Sequence, residues 1–194
     1  MSVTVTGQVA GLPVADICRA ECCPCPILKV NLSAEEELVM AIASTVSNYL
    51  AEHDVAYDVL THPHTASSGE SAQAAHVPGT LLAKSVILED DHGYLMVVLP
   101  SNRQINLGEL HRQLNRNLGL ATEGELAGLF SDCEIGALPA VGPAYGMETV
   151  VDETLAEQSD IYFEAGDHEQ LIHVSAETFE ALLGENARHG HFSH

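Results

Sequence analysis

The chain is expected to fold as a single α+β domain whose mixed, barrel-like β-sheet is flanked by helices. Three features predict this. Short apolar runs carrying Val and Ile, such as Leu81–Leu88 and Tyr94–Pro100, have the length of strands. Other segments repeat apolar residues at helical spacing, as in Ile42, Val46, Tyr49 and Leu50. The two kinds are intermixed without the regular β-α-β alternation of a doubly wound sheet. The 194 residues suit one domain with ample chain for a core, and no internal repeat or interdomain linker divides them.

From Met40 the elements follow in order. Met40–His53 is an amphipathic helix and Val55–Leu60 a short strand. His62–Ser68 is a polar loop, and Glu70–His76 a short helix stopped by Pro78-Gly79. Leu81–Leu88 is a strand, Asp90–Gly93 a hairpin turn, and Tyr94–Pro100 the partner strand. Leu107–Leu114 is helical. Thr122-Glu123-Gly124-Glu125 reads as a capping box that opens a helix to Phe130. Cys133–Val141 is irregular, rich in Gly and Pro. Thr149–Asp152, Ile161–Phe163 and Leu171–Val174 are strands, and Ser175 caps a helix running through Leu183. Residues 187–194 are expected as a polar, histidine-bearing tail, so the domain proper is 40–186.

Charge narrows the possible partners. Twenty-eight acids face seven bases, for a formal net charge of −21. Such a chain repels DNA and anionic membrane. No window approaches 18 uninterrupted apolar residues, and the first residues lack the basic-then-apolar pattern of a secretory signal, so the cytoplasm is the expected location. Low lysine with abundant acid also fits a salt-adapted interior.

Residues 1–39 differ from the rest and hold four of the five cysteines, Cys18, Cys22, Cys23 and Cys25. Their C-x3-C-C-x-C spacing has no matching second half, so neither a metal site nor any cofactor is expected. Glu35-Glu36-Glu37 can be encoded by a purine tract resembling a ribosome-binding site ahead of Met40. The segment is therefore expected to be a disordered or translated leader, with Met40 the true start.

Chemistry-bearing residues fall later. Lys84 sits inside the apolar run Leu81–Leu88, where alternation puts it on one face with Leu82, Val86 and Leu88. An ammonium there must snorkel, pair, or line a pocket; the bland alternative is an edge lysine that blunts strand pairing. His62 and His64 lie on a loop and are candidates for substrate contact, the alternative being a surface pair. No G-x-S-x-G elbow, reactive-cysteine context or phosphate loop is present. An enzyme built from this chain would work through backbone dipoles and one or two charges. Gly136-Ala137-Leu138-Pro139 fits that description, because Gly allows close approach of a ligand to fixed N–H and C=O groups while Pro139 sets the turn.

Taken in order, these segments resemble the YbaK/EbsC family, the prolyl-tRNA synthetase-associated editing domain. The matching features are His62–Thr65, Ala83-Lys84-Ser85-Val86-Ile87-Leu88, Val97–Pro100, Gly136–Gly142, Val150-Val151-Asp152 and Asp160–Gly166, spread over roughly residues 45–185. The resemblance implies a trans-editing aminoacyl-tRNA deacylase that hydrolyses the ester of mischarged tRNA. It places Lys84 near the aminoacyl group and terminal adenosine, has Gly136 shape the pocket through its backbone, and puts Ser85 in the small hydroxyl position beside the lysine. Ser101, Ala137, Leu138, Pro139, Gly166, His62 and His64 complete the expected substrate-binding set. Water or a group on the substrate attacks, and a small pocket acts as a second sieve.

The chain departs from the family where Gly166 is followed by Asp167-His168-Glu169 rather than a basic residue. With so few cations, tRNA must be gripped by a local patch of Lys84, Arg103, Arg112 and Arg116, or be supplied by a synthetase. A non-enzymatic module binding a small ligand or the tRNA end is the second function class, and a metal-handling protein built on the Cys and His clusters is the third. If the acidic surface is a salt adaptation, the midpoint of thermal unfolding rises steeply between low and molar KCl; indifference to salt counts against it.

Overall fold

The structure, a computed structural model, describes residues 42–194. The cysteine cluster, the expected leader and Met40 lie outside the described residues. The described elements are α1 (Ser44–Glu52), β1 (Asp58–Thr61), α2 (Ser68–Ala74), β2 (Leu82–Asp90), β3 (Gly93–Pro100), α3 (Leu107–Leu114), β4 (Gly119–Leu120), α4 (Glu123–Leu129), a 3-10 turn (Gly142–Tyr145), β5 (Glu148–Asp152), α5 (Glu153–Ala156), β6 (Asp160–Glu164), β7 (Gln170–Ser175), α6 (Ala176–Leu183) and β8 (Arg188–Gly190).

All eight strands join one mixed sheet in the order β1-β7-β6-β2-β3-β5-β8, with β4 paired to the far end of β2. The hydrogen-bonded path runs from β1 to β8 and is open. The β2–β3 hairpin is antiparallel in the register Lys84↔Leu99, whereas β3–β5 and β5–β8 are parallel. β3 is central, and Leu95–Pro100 are buried without interruption because both faces of that strand are covered.

The alternation read from β2 holds. Ala83 and Ile87 face the main core with Ile42, Val46, Leu50, Phe163, Ile172 and Phe179, beneath α1 and α6. On the opposite face Leu88 joins Leu95, Val97, Leu99 and Leu110 under α3, while Leu82 joins Leu171 and Ala72 under α2. Tyr49 Oη donates to the Leu182 carbonyl at 2.6 Å and ties α1 to α6. The expected capping box at Thr122 is present, with Glu125 accepting from the Thr122 amide at 2.8 Å. The hairpin turn is closed by Asp90, which accepts from the His92 amide at 2.8 Å, and by Gly93 at φ +114°.

The segment expected as a polar tail is part of the fold. Arg188–Gly190 pairs in parallel with β5, Phe192 is buried, and Gln104 and His194 exchange backbone hydrogen bonds of 2.9 and 3.0 Å. The physical reason is a single aromatic ring. Phe192 fills the α3 side of the sheet, and its amide donates to buried Asp152 Oδ2 at 3.3 Å. The surrounding histidines hide this anchor from a composition-based reading.

Glu164 is the other unexpected feature. It ends β6 almost wholly buried, with Ser71 Oγ of α2 donating to its Oε1 at 2.7 Å. Burial pushes its carboxyl above the ordinary carboxylate range, opposed by the Ser71 hydrogen bond and by His168 and His62 nearby.

Two outcomes follow from this packing. Phe192→Ala lowers the free energy of unfolding by about 3–5 kcal/mol in denaturant titration, the cost of deleting a buried aromatic ring; a solvated tail would give no change. The raised Glu164 pKa makes that group's contribution to stability complete below its unfolded pKa of about 4.3 and lost as pH rises through the folded value. Glu164→Gln does not titrate, so unfolding measured across pH shifts in the variant's favour as pH rises. A wild-type-minus-variant difference flat with pH contradicts the burial argument.

Candidate active site

β2 pairs with β6 over only two residues, Leu82↔Tyr162 and Ala83↔Phe163. Beyond them the strands part, and Lys84 is the first residue past the split. Its Nζ donates to the Arg103 carbonyl at 2.6 Å and the Ser101 carbonyl at 3.3 Å, both on the loop that follows β3. An ammonium carries three donors, and the third has no protein partner among the described residues. Among the described residues no carboxylate lies within ion-pair distance of Lys84. Partial burial pushes its pKa down by desolvation.

Lys84 lines a cleft of about 410 Å³ together with Ser101, Gly136 and the residues Ala66–Gly69. One wall is the entry to α2. Ser67 caps that helix by accepting from the Glu70 amide, and Glu70 accepts from the Ala66 amide at 2.9 Å, so the turn is held reciprocally. The facing wall is Gly136. Its φ of +98° favours glycine, and a Cβ there would sit 3.2 Å from the His168 ring. Several bonds fix this wall: the Glu134 amide donates to the Gly166 carbonyl at 2.8 Å, Ser85 Oγ donates to the Leu138 carbonyl at 2.9 Å, and His168 Nε2 bonds the Ile135 carbonyl at 3.0 Å. Ser85 therefore anchors the glycine loop to the strand that carries Lys84.

Among the expected residues, Lys84, Ser101 and Gly136 converge on the cleft. Ala137, Leu138 and Pro139 are buried behind Gly136. Gly166 is also buried, and a Cβ on it would meet Ala43 at 2.8 Å and Cys133 Sγ at 3.3 Å. His64 is exposed and bonds Glu134 at 3.2 Å. His62 is buried with Nδ1 on the Pro63 carbonyl at 2.9 Å. Neither histidine lines the cleft. The Ala66–Gly69 wall went unread, although Ser67 followed three residues later by Glu70 is a capping-box spacing directly after the histidine loop.

The expected basic patch does not assemble. Arg112 pairs with Glu109, and Arg116 grips Asp90 at 2.6 and 2.8 Å and Glu148 at 2.8 Å. The Arg116 guanidinium in turn holds the Asp90 carboxyl well below its usual range. Arg188 lies 3.4 Å from Glu148. Among the described residues only Lys84 and Arg103 are lysine or arginine side chains without a carboxylate partner; Lys84 bonds the Arg103 carbonyl, and the Arg103 guanidinium donates to Ser193 Oγ at 3.4 Å. Arg112 is thus engaged within its own helix, while Arg116, on the loop after α3, and Arg188 are engaged at the hairpin and the start of β5, which residue spacing could not reveal.

The arrangement offers an ammonium, a glycine backbone and serine hydroxyls. Burial pushes the Cys133 thiol up to about 12, so it is a poor source of thiolate. Among the described residues no group of three or more His, Cys, Asp or Glu is placed to hold a metal ion, and no helix is long and apolar enough to cross a membrane.

Comparison with known proteins bears on this site. The family model described as the aminoacyl-tRNA editing domain matches residues 62–182. Comparison with curated proteins returns no match. Among solved structures the chain is similar to one described as a candidate trans-editing enzyme for prolyl tRNA synthetase, at 23% identity and a TM-score of 0.67, covering 78% of this chain and 96% of that one. It is similar to the hypothetical protein APE2540 at 21% identity and a TM-score of 0.67, covering 78% and 100%. A signal transduction candidate from Marinobacter aquaeolei VT8 aligns at 24% identity and a TM-score of 0.60, over 77% of this chain and 30% of that one. These likenesses share the fold. The family match spans most of the chain, including the cleft residues from Ala66 to Gly136, and the protein belongs to the aminoacyl-tRNA editing domain family.

Proposed function

We propose that the protein is a trans-acting aminoacyl-tRNA deacylase. The observation that carries this reading is the half-buried Lys84 ammonium, held by two carbonyls, paired with no carboxylate among the described residues, and lining one cleft with the Gly136 backbone. The cleft volume of about 410 Å³ suits an aminoacyl ester and part of its ribose. The free Lys84 N–H is available to an oxygen of the substrate. The glycine loop presents fixed backbone dipoles to the acyl carbonyl. Water, oriented by a hydroxyl of the substrate's own ribose, attacks that carbonyl carbon. The ester C–O bond breaks, and the departing ribose oxygen takes up the proton lost by the attacking oxygen. With Lys84 positioning the substrate, no protein nucleophile is needed, and acyl groups too large for the cleft are left intact.

Substrate RNA meets few cations. Lys84 and Arg103 can contact the single-stranded acceptor end, so affinity changes little with salt, by a slope of about −0.7 per phosphate contacted. A synthetase that carries the body of the tRNA supplies the rest. The same shortage of free cations favours a second reading, a binding module for a small amino-acid-like or nucleotide-like ligand.

A deacylation panel of tRNAs charged with Ala, Cys, Ser and Pro decides between them. The wild-type protein clears at least one, and Lys84→Ala loses about 100-fold or more in kcat/KM, the scale of one removed electrostatic contact, while circular dichroism and the thermal midpoint stay near wild type. Failure of the wild-type protein to hydrolyse any member of a broad panel overturns the enzyme reading.

A further inference from the structure

The two walls of the cleft come from distant parts of the chain, and one buried polar chain runs behind both. Glu164 Oε1 accepts from Ser71 Oγ at 2.7 Å. Ser71 Oγ bonds Thr65 Oγ1 at 2.8 Å, and the Thr65 amide donates to the His168 carbonyl at 3.3 Å. The His168 ring closes the chain, with Nε2 on the Ile135 carbonyl at 3.0 Å and its edge against Gly136. Glu164, Ser71 and His168 are all buried. His168 is held at φ +59°, a conformation a non-glycine residue keeps only where its surroundings fix it.

The consequence is mechanical. Ser71 lies in the helix whose first turn is one wall, and His168 abuts the other. Without the Glu164 carboxyl, the remaining acceptors for Ser71 are Thr65 Oγ1 at 2.8 Å and the Ser67 carbonyl at 3.2 Å, neither of them on the sheet. The hydroxyl would then turn inward, and the polar tie from α2 to the sheet would be lost. That would leave α2 held to the sheet by its small apolar contacts through Ala72 and Val77. Pockets discriminate a single methylene by only about 10–200-fold. A wall loosened by the loss of one hydrogen bond, a change of up to about tenfold in an equilibrium, therefore erodes a size limit.

We infer that Glu164 is a positioning residue that sets the separation of the cleft's walls and thereby the size of acyl group admitted, an inference that rests on the deacylase reading. Its test compares wild type with Glu164→Gln, Glu164→Leu and Ser71→Ala by amide hydrogen exchange at residues 66–70 and 135–137. It also compares the ratio of kcat/KM for an accepted aminoacyl-tRNA to that for the next larger, rejected one. Glu164→Gln keeps the acceptor for Ser71 and leaves both readouts within about twofold of wild type. Glu164→Leu and Ser71→Ala raise exchange at both walls by about tenfold and lower the selectivity ratio by a similar factor, with less change in kcat/KM on the accepted substrate. Exchange unchanged at Gly136, or a Gln variant as loose as the Leu variant, overturns the inference. Should Glu164→Leu not fold, the milder Ser71→Ala carries the same comparison. If the wild-type protein deacylates nothing, the enzyme reading fails, and the exchange arm alone still decides whether Glu164 couples the two walls.

Discussion

The structure turns on the brevity of one strand pairing. β2 and β6 share two residues of parallel register and then diverge, so a continuous sheet opens into a cleft at Lys84. A longer pairing would bury Lys84 against β6 and force it to find a carboxylate or lose its proton. The divergence instead leaves the ammonium partly wet, and the turn after β3 supplies two carbonyls to hold it. The Gly136 wall and the α2 wall are then brought up to a position that the sheet has already defined. This order of dependence explains why the cleft needs few polar side chains of its own.

Electrostatics sharpen the same point. In a chain of net charge −21, cations are scarce, and most of those described are engaged by carboxylates away from the cleft. Arg116 joins the β2–β3 turn to the start of β5 through a bidentate contact with Asp90 and a second with Glu148. Positive potential is thereby withdrawn from α3 and left at Lys84 and Arg103. On the deacylase reading, RNA approaching elsewhere meets an acidic surface that repels it.

Much of the fold was legible in the residues. Short apolar runs located β2 and β3, the Asp90–Gly93 turn joined them, and Ser175 and Thr122 marked two helix starts, because local chemistry decides these features. Lys84 stood out for a physical reason: a charge among Leu82, Val86 and Leu88 has few tolerable fates. The segment 187–194 was misjudged because a single Phe among histidines is too little signal for a strand that depends on a distant partner, β5. The basic patch was misjudged because ion pairing to Asp90 and Glu148 is a tertiary fact. Glu164 was passed over within a strand motif, since burial of a carboxyl leaves no local trace. Ser67 could have been read as a helix cap, and with it one wall of the cleft.

The loop that receives Lys84 is itself held from the far end of the fold. Gln104 pairs through its backbone with His194, and Arg103 Nη1 donates to Ser193 Oγ at 3.4 Å, while Phe192 anchors that segment against β3 and β5. Residues 188–190 pair with β5, which pairs with β3, so the ammonium's support is built on contacts between segments far apart in the chain. Residues 188–194 therefore support the cleft as much as they complete the edge of the sheet.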